Sequence, residues 1–258
     1  MRQLLLILTL LCLAVTAEAA VKTKVIEYKQ GDTILEGYLA WDSDKSVKRP
    51  GILIVHEWNG LGTYVKKRAE MLAKLGYIAF AADIYGKGVR PTDPADSAKF
   101  AGIYKNDRAL MRARARAGLE ELKKQKFVDP QRLAAIGFCF GGTSVLELAR
   151  DGADLRGVVS FHGGLSTPTP QDARNIKGKV LALHGADDPF VKADEVAAFQ
   201  DEMRKANVDW QMNIYSGAVH GFTNPDNGTD NSKGAAYNEK ADKRSWEAMK
   251  TFFAEIFK

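Results

Sequence analysis

At 258 residues, 45% of them hydrophobic, the chain is long enough to bury one large core, and it leaves no obvious room for a separate cap domain. Its formal charge of +5 and pI near 9.0 come from lysines and arginines scattered along the chain. Nucleic-acid binding is therefore not expected, although the basic balance favours anionic substrates.

The first residues, MRQLLLILTLLCLAVTAEAA, combine one basic residue, a short apolar core and Ala17-Glu18-Ala19 as a small-residue cleavage site. They predict a secretory signal over 1–19, a mature chain from Ala20, and a periplasmic or secreted protein. Leu11 before Cys12 is not the small residue that a lipoprotein signal requires, so no membrane anchor is expected. Cys12 leaves with the signal. The remainder, 20–258, reads as one domain whose single cysteine, Cys139, can form no internal disulfide.

Two alternating runs, 23–28 and 34–40, joined by Lys29-Gln30-Gly31-Asp32, predict an antiparallel hairpin at a sheet edge. Residues 51–56, GILIVH, form a continuous apolar run that predicts a buried strand, followed by a glycine-punctuated loop and an amphipathic helix over 64–75. A second buried strand is expected over 77–82, then a polar stretch over 83–96 and a long helix from about Asp107 to Gln125. The arginines of that helix, Arg108, Arg112, Arg114 and Arg116, read as a solvated surface. Further strands are expected over 156–161, 179–184 and 210–215, helices over 193–206 and 237–257, and a loop over 224–234. Such alternation builds an α/β fold with a mostly parallel sheet, helices on both faces, and ligands at the carboxyl ends of the strands.

The chemistry gathers around residues 133–150, LAAIGFCFGGTSVLELAR, where an apolar strand runs through Gly-Phe-Cys-Phe-Gly-Gly into a helical pattern. This is a nucleophile elbow, G-x-S-x-G, with sulfur in place of oxygen. Gly137 and Gly141 let strand and helix approach closely, so Cys139 stands at the apex beside the N–H groups of the helix start. A buried structural thiol is the plainer reading of a lone cysteine, but a glycine-flanked apex is a poor place to bury one.

Asp187 and Asp188 follow the strand ending at His184, and one of the two is expected to cap or turn the chain beside Pro189. Asp188 is taken as the acid. His220 follows the strand ending at Tyr215 and is the natural base. The order Cys139, Asp188, His220 is the nucleophile, acid, base order of α/β-hydrolases. The loop His56-Glu57-Trp58-Asn59-Gly60 lies where such folds supply an oxyanion-hole N–H, making Trp58 a donor candidate alongside Phe140. Glu57 is unusual there, because a carboxylate repels a developing oxyanion unless it is protonated, displaced or paired. His162 and His184 also sit at strand ends, without a partner at a recognisable metal spacing, so no metal site is expected.

Together HEWNG around Glu57, ADIYG at 82–86, GFCFGG around Cys139, HGADDPFV with Asp188 and AVHGF with His220 make the chain resemble dienelactone hydrolases, over nearly its whole mature length. These are cysteine members of the α/β-hydrolase fold that open enol-lactones. The resemblance implies a Cys139-His220-Asp188 triad, oxyanion donors at Trp58 and Phe140, Glu57 tied to the resting thiol, and no cofactor. The lactone-cleaving members grip the substrate carboxylate with an arginine at the position of Asn224, and Lys87 or Arg90 would supply the second basic partner. The expected activity is cleavage of a small-molecule ester or lactone through an acyl-thioenzyme, by a monomer or weak homodimer. Acyl transfer, a peptide-type hydrolase, and a binding protein on the same scaffold are the alternatives.

Overall fold

The computed structural model describes residues 20–42 and 47–258; the expected signal over 1–19 lies outside the described residues. Among the described residues eight strands form one sheet: β1 (Val21–Gln30), β2 (Thr33–Asp42), β3 (Arg49–Val55), β4 (Ile78–Ala82), β5 (Val128–Phe138), β6 (Gly157–Phe161), β7 (Lys179–Gly185) and β8 (Trp210–Tyr215). Their spatial order is β1-β2-β4-β3-β5-β6-β7-β8. The β1-β2 hairpin is antiparallel and β2 runs antiparallel to β4, while every pair from β4 through β3 to β8 is parallel.

Among the described residues six α-helices, α1 (Thr63–Lys74), α2 (Pro94–Asn106), α3 (Arg108–Lys123), α4 (Phe140–Arg150), α5 (Ala193–Lys205) and α6 (Glu239–Ile256), cover the two faces. The period of two sorts the strand side chains between them. Leu53 and Val55 of β3, with Leu133 and Ala135 of β5, join the cluster under α2 to α5. Ile52, Ile54, Ala134 and Ile136 join the cluster under α1 and α6. Hence 51–55 of β3 and 133–138 of β5 read as unbroken apolar runs. Each such Leu or Ile, fully buried, contributes roughly 1.5–3 kcal/mol.

Three readings are corrected. Helix α2 has no counterpart among the expected elements; Asp93 caps it, accepting from the Asp96 N–H with Pro94 in the first turn, and it buries only Ser97, Ala101 and Tyr104. Its stripe is too narrow and too polar for an apolar period. Strand β5 starts at Val128 rather than Leu133, passing through Pro130 where its pairing with β3 shifts register. The arginines of α3 are not a solvated face. Arg114 is buried and donates to Gln30 O at 3.2 Å and Thr33 Oγ1 at 2.8 Å. Arg112 bridges Glu147 and Asp172, each at 2.8 Å, and Glu147 bonds in turn to the fully buried Arg150 at 3.0 Å.

Candidate active site

The site is built at the carboxyl edge of β3, β5, β7 and β8. At the elbow, a Cβ on Gly137 would lie 2.0 Å from Gly141 O, and one on Gly141 would lie 2.1 Å from Val55 O. Only two glycines allow α4 to start that close to β5 and β3. Between them Cys139 is held at φ 54°, a backbone conformation that costs a non-glycine residue of order 1–3 kcal/mol. Its N–H is fixed by Phe161 O at 3.0 Å and His162 Nδ1 at 3.1 Å, and its carbonyl accepts from Gly142 N–H at 3.0 Å.

His220 Nε2 stands 3.0 Å from Cys139 Sγ, and His220 Nδ1 stands 2.8 Å from Asp188 Oδ2. The other Asp188 oxygen, Oδ1, accepts from Phe190 N–H at 2.8 Å and Val191 N–H at 3.2 Å. Asp188 therefore both closes the turn at Pro189 and orients the imidazole, whereas Asp187 is exposed. His220 is pushed up to about 10: burial opposes its charge, but the sulfur of Cys139 and the carboxylate of Asp188 outweigh it. Phe190 stands edge-on to that ring at 5.5 Å.

Trp58 and Phe140 line the same cavity as Cys139 and His220, a cleft of about 750 Å³. Among the described residues no group accepts from either backbone N–H. Glu57 also lines it, buried, but its partner is not the thiol: Glu57 Oε2 accepts from Asn224 Nδ2 at 2.7 Å, while the sulfur faces His220. Burial raises the Glu57 carboxyl to about 7 despite that bond. Asn224 is occupied at both ends, its Oδ1 accepting from Asp226 N–H at 3.0 Å.

Neither expected basic partner reaches the cavity. Lys87 pairs with Glu27 on the exposed surface. Arg90 donates to Leu61 O at 2.9 Å and Val89 O at 2.7 Å, tying two loops together. The cations along the cavity wall are Lys105, carried in by α2, and Lys233. Nothing in their local sequence distinguishes these two from other surface lysines, so sequence reasoning misses them.

The part played by His162 is also invisible in the sequence. Cys139 N–H donates to its Nδ1, so Nε2 carries the proton and donates to Thr223 Oγ1 at 2.7 Å. Burial and the neighbouring His220 hold His162 neutral. Thr223 Oγ1 also accepts from Tyr64 Oη at 2.6 Å, and Tyr64 Oη accepts from Arg68 Nε at 3.1 Å. A buried polar chain thus runs from α1 to the nucleophile's own amide. His184 is held neutral by burial and takes no part in it.

A parallel sheet with a strained strand-to-helix turn, a histidine and an acid at successive strand ends defines an α/β-hydrolase. The family model for dienelactone hydrolases matches residues 35–257, and the chain belongs to that family, as a dienelactone-hydrolase-like hydrolase. Among its relatives, "Protein usf" of Aquifex pyrophilus is 30% identical over 208 residues, 78% of this chain and 87% of that one. A solved structure named m3DLH is 44% identical with a TM-score of 0.89, over 92% of this chain and 99% of that one. A dienelactone hydrolase-like promiscuous phosphotriesterase from metagenomic libraries is 43% identical with a TM-score of 0.87, over the same shares.

Proposed function

We propose that the protein hydrolyses carboxylic esters or lactones through a thioester on Cys139, and that it does so outside the cytoplasm after loss of residues 1–19. The observation that carries the reading is the unbroken line from Asp188 through His220 to Cys139, at 2.8 and 3.0 Å. His220 takes the thiol proton as sulfur attacks the carbonyl carbon, and the oxygen that gains the electron pair rests on the Trp58 and Phe140 N–H groups. His220 gives its proton to the departing alkoxide. Water then attacks the thioester, with His220 as general base and Asp188 holding its ring, and the acid leaves as sulfur regains its pair with His220.

Asn224 is neutral and is tied to Glu57 and to the Asp226 N–H, so it brings no positive charge to a substrate carboxylate, which favours substrates without the charge that lactone-cleaving relatives grip. The test is turnover of aryl esters and lactones by the wild type and Cys139→Ala. The variant is expected to fold and to lose activity by at least a hundredfold; activity above a few per cent would overturn the assignment. A second reading, phosphotriester cleavage at the same sulfur, is favoured by the 43% identical phosphotriesterase. Paraoxon in the same panel tests it, with release of 4-nitrophenol by the wild type and none by Cys139→Ala expected.

A further inference from the structure

His56 follows β3 and is wholly buried. Both of its ring nitrogens are engaged: Nδ1 is 2.6 Å from Glu57 O, and Nε2 is 3.2 Å from Ile84 N. A backbone N–H can only donate and a carbonyl can only accept, so Nε2 carries the lone pair and Nδ1 the proton. Burial, opposed by the bond to Glu57 and by Asp83, holds the ring's pKa at about 4, so it remains neutral at working pH.

The carbonyl that His56 grips belongs to the same peptide unit as the Trp58 N–H. Peptides here are planar and trans, so anchoring the carbonyl fixes the direction of that N–H, on the opposite side of the unit. Gly60 N–H holds the same oxygen at 3.2 Å, and the two bonds polarise the amide. The other face of the site is touched as well: the His56 ring stacks on Phe140, centroids 5.9 Å apart and 17° from parallel. Tyr85 packs edge-on to His56 at 4.8 Å and its Oη donates to Trp58 O at 2.9 Å, fixing the next peptide.

We propose that His56 is a positioning residue for the oxyanion hole: its imidazole holds the Glu57–Trp58 peptide so that the Trp58 N–H, beside that of Phe140, meets the developing oxyanion. This rests on the thioester reading above. The reacting atoms never touch the ring. Its effect belongs to steps that form an oxyanion, and not to reactions of the sulfur that form none.

The experiment compares His56→Asn with His56→Leu. Asparagine places an amide nitrogen close to the position of Nδ1 and can donate to Glu57 O; leucine branches alike and donates nothing. His56→Leu is expected to lower kcat on an aryl ester ten- to a hundredfold with KM within twofold, below the roughly 10²–10³ of an oxyanion donor removed outright. His56→Asn is expected to stay within threefold of the wild type. Alkylation of Cys139 by iodoacetamide, which passes through no oxyanion, is expected to be unchanged in both. If the leucine variant fails to fold by circular dichroism, His56→Met supplies the donor-free arm. Unchanged kcat in the donor-free variant, equal losses in both variants, or an alkylation rate that falls with kcat would overturn the proposal. Turnover by Cys139→Ala would instead overturn the thioester reading, so the two failures are distinguishable.

Discussion

Glu57 is the residue at which charge and position conflict. A carboxylate against an oxyanion hole would oppose the reaction, and the fold resolves this by burying it beside Asn224 rather than beside a cation. Its carboxyl titrates at about 7 against 4.5 for a solvated glutamate, so the folded protein binds that proton more tightly than the unfolded chain. The stabilisation is fully present below pH 4.5 and is lost as the pH rises through 7. A shift of this size corresponds to about 3 kcal/mol. Glu57→Gln carries no such charge. Its stability relative to the wild type is expected to rise by about that amount between pH 4.5 and 8, read from urea midpoints. A difference that stays flat with pH would mean that Glu57 is not a buried acid. The carboxylate that appears above pH 7 also faces the sulfur's cavity, so alkylation of Cys139 at about pH 8 is expected to be faster in Glu57→Gln and equal to the wild type at about pH 5.5. The sequence marked Glu57 as out of place. It could not give the partner, because Asn224 lies 167 residues away and the contact exists only once β3 and β8 share an edge.

At the scale of elements, the elbow was legible because its constraint is local: a nucleophile between two glycines needs only the strand before it and the helix after it. The constraint is also steric and severe. A methyl on Gly141 would sit 2.1 Å from Val55 O and 2.7 Å from His56 O, both backbone atoms that cannot swing aside. Gly141→Ala is expected to cost about 3 kcal/mol, near the top of the range for overpacking, and to impair turnover even where the variant remains folded, because α4 carries the Phe140 N–H. Differential melting and kcat measured below the melting point check both parts. A variant as stable and as active as the wild type would refute the close approach. Helix α2 shows the opposite case. Its start carries the local signal Asp93-Pro94, but its buried stripe is Ser97, Ala101 and Tyr104, and Tyr104 belongs to the core through stacking on Tyr85 at 5.3 Å, 19 residues back. Tertiary stacking, not periodicity, places it.

For the whole molecule, the predicted export from residues 1–19 is a property of the chain's first residues and is tested by mass. The protein recovered from periplasm or medium is expected to begin at Ala20 or within a residue or two of it; an intact Met1 would contradict export. Among the described residues Cys139 is the one cysteine and is free, so no disulfide stiffens them. The described residues hold instead a buried charge chain, with Arg150 joined to Glu147 at 3.0 Å and to Glu202 at 2.7 Å, and Arg112 closing on Glu147 from α3. Removal of one member of such a chain costs more than the intact chain contributes, because it leaves a charge buried and unpaired.

By itself the sequence determined the alternation of strand and helix, the elbow at Cys139, the strand-end places of Asp188 and His220, and the loop that carries Trp58. Each of these is set by neighbours within a few residues: an apolar period, a glycine pair, a turn after a strand. Tertiary structure alone decided what those residues face. It turned the sulfur to His220 and Glu57 to Asn224, drew Lys105 and Lys233 rather than Lys87 and Arg90 to the cavity, and set His56 and His162 against the backbone of the site. The physical reason is distance along the chain. Hydrogen bonds, burial and the pKa values that follow from them are made between strand ends scores of residues apart, and the sheet order β4-β3-β5-β6-β7-β8 is what brings those ends to one edge.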